Sequence, residues 1–410
     1  MKSGWETTTL SDICLSISGL WTGKRGPFTK IGVLRNTNFT KDCLLDFSNI
    51  AYIEVEANSL AKKKLQNGDI IIEKSGGGPR QPVGRAVLFV GAKETFSFSN
   101  FTSVLRIKDC VKEKFSPEFL QKYLLFIYTT GVTEPMQRYT TGIRNLDMKE
   151  YLKINFSYPP LPEQKRIVGI LDAAFEKIDA VQRNAERNLA NAKELFQCVL
   201  DEEMTPKDGN KLFKLKEIAA ILVGYAFKSS GYSTDPHDLK LVCGDNIEPG
   251  FFRWDETKYW PRKNVAQYSQ FLLKTDDVVL AMDRPWIRSG LKRALVTEDV
   301  LPALLLQRTA CLRTGDKDIA RYLYFILGSS FFVEHVLNQQ TPGSVPHISG
   351  KQIASFPLYL PEEKRIHSAV QRISTLYEAT QTEESKYRRL LSLCAELKRQ
   401  VLAKAFNGEL

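Results

Sequence analysis

Chemistry-bearing residues are sparse in this chain. Its 410 residues include four histidines (237, 335, 347, 367) and seven cysteines (14, 43, 110, 198, 243, 311, 394). The cysteines are scattered, odd in number and never spaced C-x-x-C, which argues against a disulfide framework or a zinc ribbon. The histidines lack metal-ligand spacing and partners for nucleophilic catalysis, so core or surface roles are expected of them. No run of 18 apolar residues occurs, and MKSGWETTTLSDICLSISG at 1–19 has no basic-then-apolar signal pattern. A reducing, cytoplasmic setting is the expectation.

Several motifs come close and fail. GLWTGKR at 19–25 has three residues between its glycines where a phosphate loop needs four, and Arg25 follows the lysine in place of Ser or Thr. SYPPL at 157–161 places its aromatic before the prolines and reads as an extended lead into a helix. Glu163-Gln-Lys165 has a nuclease-like spacing, but it opens a helix and has no aspartate beside it on a strand. No G-x-G-x-x-G turn follows a strand. The sequence therefore holds no catalytic constellation, no metal site and no cofactor pocket.

What it does hold is charge, 43% hydrophobic residues and a repeat. The formal net charge of +10 is compatible with a polyanionic partner. LPEQKRI at 161–167 returns as LPEEKRI at 360–366. Further matches keep the same order: LSDI (10–13) with LKEI (215–218), LRNTNF (34–39) with VCGDNI (242–247), LQNGDIIIE (65–73) with LKTDDVVLA (273–281), and FLQKYLLFIY (119–128) with IARYLYFILG (319–328). The chain is a duplicated unit of roughly 200 residues.

Each copy has a mixed part and a helical part. Short apolar runs between Gly/Pro loops (DIIIE, RAVLFV, DVVLAM, RALVT) predict strands, and helices are expected at 117–129 and 318–336. After Pro162 and Pro361, both placed in a first helical turn, apolar residues alternate by four and three. The first seam reads Ile167, Leu171, Ala174, Ile178, Val181, Ala185, Asn188, Ala192, Leu195 and Val199. The second reads Ile366, Val370, Ile373, Tyr377, Thr380, Glu384, Tyr387, Leu391, Cys394 and Lys398. The predicted class is α+β: two tandem mixed α/β domains (1–158 and 207–358) separated by two long antiparallel coiled-coil helices (159–206 and 359–410), pseudo-twofold symmetric.

YPPLPEQKRIVGILD at 158–172, the second LPEEKRI and VLAKAFNGEL at 401–410 resemble the specificity subunit of type I restriction-modification systems, as does the whole-chain layout. The resemblance implies that each mixed part is a target-recognition domain reading half of a split duplex-DNA site. It implies helices that dock two methyltransferase subunits, with restriction subunits joining them. S-adenosylmethionine, ATP and Mg²⁺ are then expected on those partners, with no cofactor, no catalysis and no membrane association in this chain.

Three loop pairs are the candidate DNA contacts, because arginine and lysine serve phosphate and guanine edges while amides and hydroxyls serve base edges. The first is KSGGGPRQPVGR (74–85) with AMDRPWIRSGLKR (281–293), contributing Lys74, Arg80, Arg85, Arg284, Arg288 and Arg293. The second is QRYTTGIRNL (137–146) with QQTPGSVPHI (339–348), contributing Arg138, Thr140, Arg144, Asn145, Gln339, Gln340, Ser344 and His347. The third is LWTGKRGPF (20–28) with YAFKSSGY (225–232), contributing Lys24, Arg25 and Lys228. Two other readings stand beside this one: a coiled-coil scaffold whose globular ends bind protein, and a nuclease acting alone.

Overall fold

The computed structural model describes residues 4–21, 23, 26–78, 81–91, 94–140, 142–205, 207–287, 289–338 and 346–410. They form two units, Met1–Ala185 with Arg389–Leu410, and Glu186–Arg388.

In the first unit, Thr9 and Asp12 cap each other across a one-turn helix, Leu10–Ile13, whose Leu10 and Ile13 are both buried. This reciprocal cap satisfies two backbone donors that a short helix otherwise leaves open. The strand Cys14–Ser18 follows and edges an antiparallel sheet ordered Cys14–Ser18, Thr102–Ile107, Asp69–Glu73, Ala86–Phe89. Asp69–Glu73 is buried on both faces, which explains why DIIIE does not alternate. Asp69 enters the core because Arg106 grips it through Nε and Nη2, each at 2.7 Å. A second sheet places Ala51–Glu56 and Phe96–Phe98 on either side of Phe28–Leu34.

The second unit repeats this plan. Leu215–Ile218 is again a single turn, with Glu217 accepting from the Lys214 amide at 2.8 Å. The sheet order is Ala220–Val223, Thr309–Arg313, Val278–Ala281, Arg293–Leu295, and Arg313 holds the buried Asp277 as Arg106 holds Asp69. Lys258–Trp260, Leu239–Val242 and Ala303–Leu305 form the second sheet. The paired asparagines of the repeat do the same work in both units. Buried Asn38 accepts from the Arg35 amide and donates to Asp46 and Asn49, while Asn246 accepts from the Cys243 amide and donates to Arg253.

The helix expected at 318–336 is two, Lys317–Ile326 and Ser330–Leu337. Ser329 caps the second, and a Cβ at Gly328 would lie 2.2 Å from an Arg293 guanidinium nitrogen, so a side chain there requires that guanidinium to move. Pro117–Thr129 is a single helix.

The long helices span Leu161–Glu203 and Glu363–Asn407, so Pro162 lies in a first turn but Pro361 lies two residues ahead of one. In the first unit, Ile167 and Leu171 share a core with Leu402 and Ala405, and further along the helix Asp179 meets Lys398. The segments run antiparallel. In the second unit Lys193 meets Glu384, Phe196 meets Tyr377 and Glu203 meets Arg372, again antiparallel. Ile366, Val370 and Ile373 are buried, Ile178 is buried, and Tyr377 and Leu391 are half-buried. Val181 (44% exposed) and Leu195 (58% exposed) lie outside the seam. An α-helix turns every 3.6 residues and drifts from a strict seven-residue pattern. The slip occurs after Leu171, where half-buried Phe175 continues the contact face, and the seam proceeds through Ile178, Gln182, Ala185, Leu189 and Phe196.

The repeated phrase anchors each helix. Gln164, fully buried, accepts from the Ser116 amide at 2.9 Å and donates to the carbonyls of Lys114 and Pro159. Ile167 and Ile366 are buried in their respective units. No helix among the described residues is long and apolar enough to cross a membrane.

Candidate nucleic-acid interface

In each unit the first and second loops meet. In the first unit Gln137–Thr140 and Ile143–Leu146 form a hairpin whose second strand pairs with Ser75–Gly77. The glycines here are required by packing: a Cβ on Gly77 would sit 2.3 Å from the Gln81 carbonyl oxygen, and Gly76 adopts φ +113°. Arg138 extends from this hairpin with its side chain 77% exposed, touching Asp147 at 2.7 Å. An exposed pair of this kind is worth no more than about 1 kcal/mol, so the guanidinium is exchangeable. The amides of Lys149 and Glu150 hold the Asp147 carboxyl below its ordinary range. Arg144 donates to the Gly78 carbonyl at 3.0 Å and to Gln137, and Asn145 accepts from the Ser75 hydroxyl at 2.6 Å. Lys74 is half-buried where the loop leaves the core strand, and Thr140 closes its strand.

In the second unit the two loops meet through Asp283, which bridges His347, while the Arg284 amide donates to the Pro346 carbonyl at 2.9 Å. The result is a cleft of about 830 Å³. Arg284, exposed and at φ +44°, lies on its wall. Asp283 receives Arg308 through Nη1 and His347 through Nδ1, both at 2.5 Å. Burial pushes the Asp283 carboxyl up, but these hydrogen bonds and the Arg308 charge outweigh it and hold the group below its ordinary range. The third loop reaches the same wall, since Tyr225 accepts from the Gln307 amide at 2.8 Å. Lys228 is exposed ahead of the turn Ser229–Gly231.

Two candidates are turned inward. Arg85 grips Glu73 through Nε at 2.7 Å and Nη2 at 2.9 Å, donates to the carbonyls of Phe39 and Asn36, and lies over the Phe39 ring. Arg293 is 9% exposed, donates to the Tyr324 carbonyl at 2.7 Å and stacks on that ring. Burial lowers its pKa, and both residues serve the interior. Strand alternation is the reason: Arg293 pairs with Leu280 and shares its side of the sheet, toward the helix Lys317–Ile326. Lys24, Arg25, Arg80, Arg288, Gln339, Gln340 and Ser344 lie outside the described residues, as does the side chain of Thr140.

The sequence reading misses Asp283, Lys292, Gln307 and Arg308, which line the cleft. Asp283 and Lys292 lie inside the quoted loop 281–293, and Arg308 is marked by the turn after Ala303–Leu305, where it adopts φ +64°. Among the described residues, no group of three or more His, Cys, Asp or Glu is placed to hold a metal ion.

Residues 2–187 match a family model described as the type I restriction modification DNA specificity domain. The chain is 32% identical over 160 residues to the EcoAI type I restriction enzyme specificity subunit of Escherichia coli, covering 38% of this chain and 27% of that one. It is 27% identical over 262 residues to the MjaVIII type I restriction enzyme specificity subunit of Methanocaldococcus jannaschii, covering 60% of this chain and 61% of that one. The matches thus span about a quarter and three fifths of these curated relatives. A solved structure concerning complex assembly and conformational transition of the type I R-M system contains a chain that superimposes with a TM-score of 0.77. That superposition covers 100% of this chain and 99% of the other at 18% identity, which establishes the likeness of fold.

Proposed function

We infer that this chain, residues 2–187 of which match the type I restriction modification DNA specificity domain, is a specificity subunit that selects the duplex sequence on which partner enzymes act. The observation that carries the reading is one platform built twice with different chemistry. Where the two loops join in each unit, one copy presents Arg138 on an exposed hairpin and the other presents Arg284, Arg308 and His347 around a cleft. Equivalent surfaces suit two halves of a duplex site, and unlike side chains make those halves different, so the site is bipartite and asymmetric. Of the residues named from sequence, all but the inward-turned Arg85 and Arg293 remain candidates for DNA contact.

The chain acts without catalysis of its own. Two methyltransferase subunits dock on the long helices, restriction subunits join them, and S-adenosylmethionine, ATP and Mg²⁺ are bound by those partners. Combined with an active methyltransferase partner, the chain confers methylation at one split sequence. Replacing 1–158 with the corresponding domain of a relative changes one half of that sequence and leaves the other. Methylation at random sites, or a change in both halves, would refute this reading. Binding that ignores salt concentration would favour a protein-binding scaffold instead.

A further inference from the structure

The two units treat one position in their core sheets differently. In the first, the Glu73 amide donates to the Arg85 carbonyl; in the second, the Ala281 amide donates to the Lys292 carbonyl. The flanking pairs agree, Ile70 with Leu88 and Val278 with Leu295. Lys292 therefore stands where Arg85 stands, and Ala281 where Glu73 stands. The first unit neutralises its cation internally, and the second has a methyl group in place of the carboxylate.

Lys292 is 9% exposed and lines the cleft that holds Arg284, Gln307, Arg308 and His347. Among the described residues its ammonium has no hydrogen-bond or ion-pair partner, since the neighbouring Asp283 is taken by Arg308 and His347. An ammonium offers three donors, and none of those of Lys292 is used within the described protein, so they are available to an acceptor that enters the cleft. The fold holds these unused donors at a cleft open to solvent.

We propose that Lys292 is a DNA contact of the second unit, its ammonium taking an acceptor oxygen or nitrogen that the duplex carries into the cleft. The proposal rests on the reading of the chain as a DNA-recognition subunit. Two parts of DNA supply such acceptors, the guanine edge with its O6 and N7, and the phosphate oxygens.

The test uses the full chain with its methyltransferase partner and compares Lys292→Met with the unaltered protein. Removing a charge that has no partner in the protein leaves the DNA-free chain at least as stable to heat. Affinity for the preferred duplex falls roughly 5- to 100-fold. If the acceptor is a guanine edge, the methylated sequence becomes degenerate at one position of one half-site. If it is a phosphate, the sequence is retained and the slope of log affinity against log salt becomes shallower by about 0.9. Unchanged affinity and sequence, or a variant that unfolds, overturns the proposal. If instead the unaltered protein binds no duplex in preference to others, the broader reading fails and Lys292 is not the reason.

Discussion

Removing the Glu73 carboxylate measures what it is worth to give a buried cation an internal partner. The pair is nearly dry, with side-chain exposures of 12% for Arg85 and 2% for Glu73. Glu73→Ala leaves Arg85 with the Phe39 and Asn36 carbonyls at 3.2 and 3.3 Å and with the Phe39 ring, but without a counter-charge. Breaking one side of a buried ion pair costs about 3–5 kcal/mol. Amide hydrogen exchange reads this separately in each unit. Exchange from Asp69–Glu73 should accelerate roughly 140- to 3,700-fold, since every 1.4 kcal/mol is tenfold. The strand Val278–Ala281 should be unaffected, because distant sites add independently. A double variant, Glu73→Ala with Arg85→Met, should recover most of the loss. Exchange from Asp69–Glu73 that changes less than tenfold in the single variant would refute the reasoning.

Other outcomes follow from the same structure. Phe196→Ala, which empties the contact with Tyr377 and Phe325, should cost about 2–3 kcal/mol in chemical denaturation, less than a fully buried phenylalanine. Leu195→Lys, one residue away on the exposed face, should change stability by no more than about 0.5 kcal/mol. Alkylation at pH 8 should label the exposed Cys110 and Cys198 quickly and leave Cys14 and Cys43 unmodified until the protein unfolds. Burial pushes those two thiols up to about 12 and about 11, so both remain protonated and unreactive well above neutral pH. Mass spectrometry of the labelled chain checks this directly.

The elements were legible because the repeat supplied two readings of each. DIIIE and DVVLAM fall on equivalent strands, and Asn38 and Asn246 close equivalent turns. The seam was legible at Ile167, Leu171, Ile178 and Ala185, but choosing between Ala174 and Phe175 requires knowing how far the helix departs from a seven-residue period, which packing decides. The binding surface was least legible. An arginine in a strand-flanking loop reads the same whether it faces solvent, as Arg138 does, or the core, as Arg85 and Arg293 do. Only strand pairing separates them. Asp283 was invisible because its partners, Arg308 and His347, lie 25 and 64 residues away.

One unit is contiguous in sequence and the other is not: residues 389–410 supply Leu402, Ala405 and Phe406 to a core otherwise drawn from 1–185. During synthesis the earlier-made portion must therefore wait, its helix Pro117–Thr129 uncovered, while some 200 further residues emerge. At ordinary elongation rates this is roughly 10–40 s. The later-made unit draws its main core from within 186–388, all of which is made before residues 389–410.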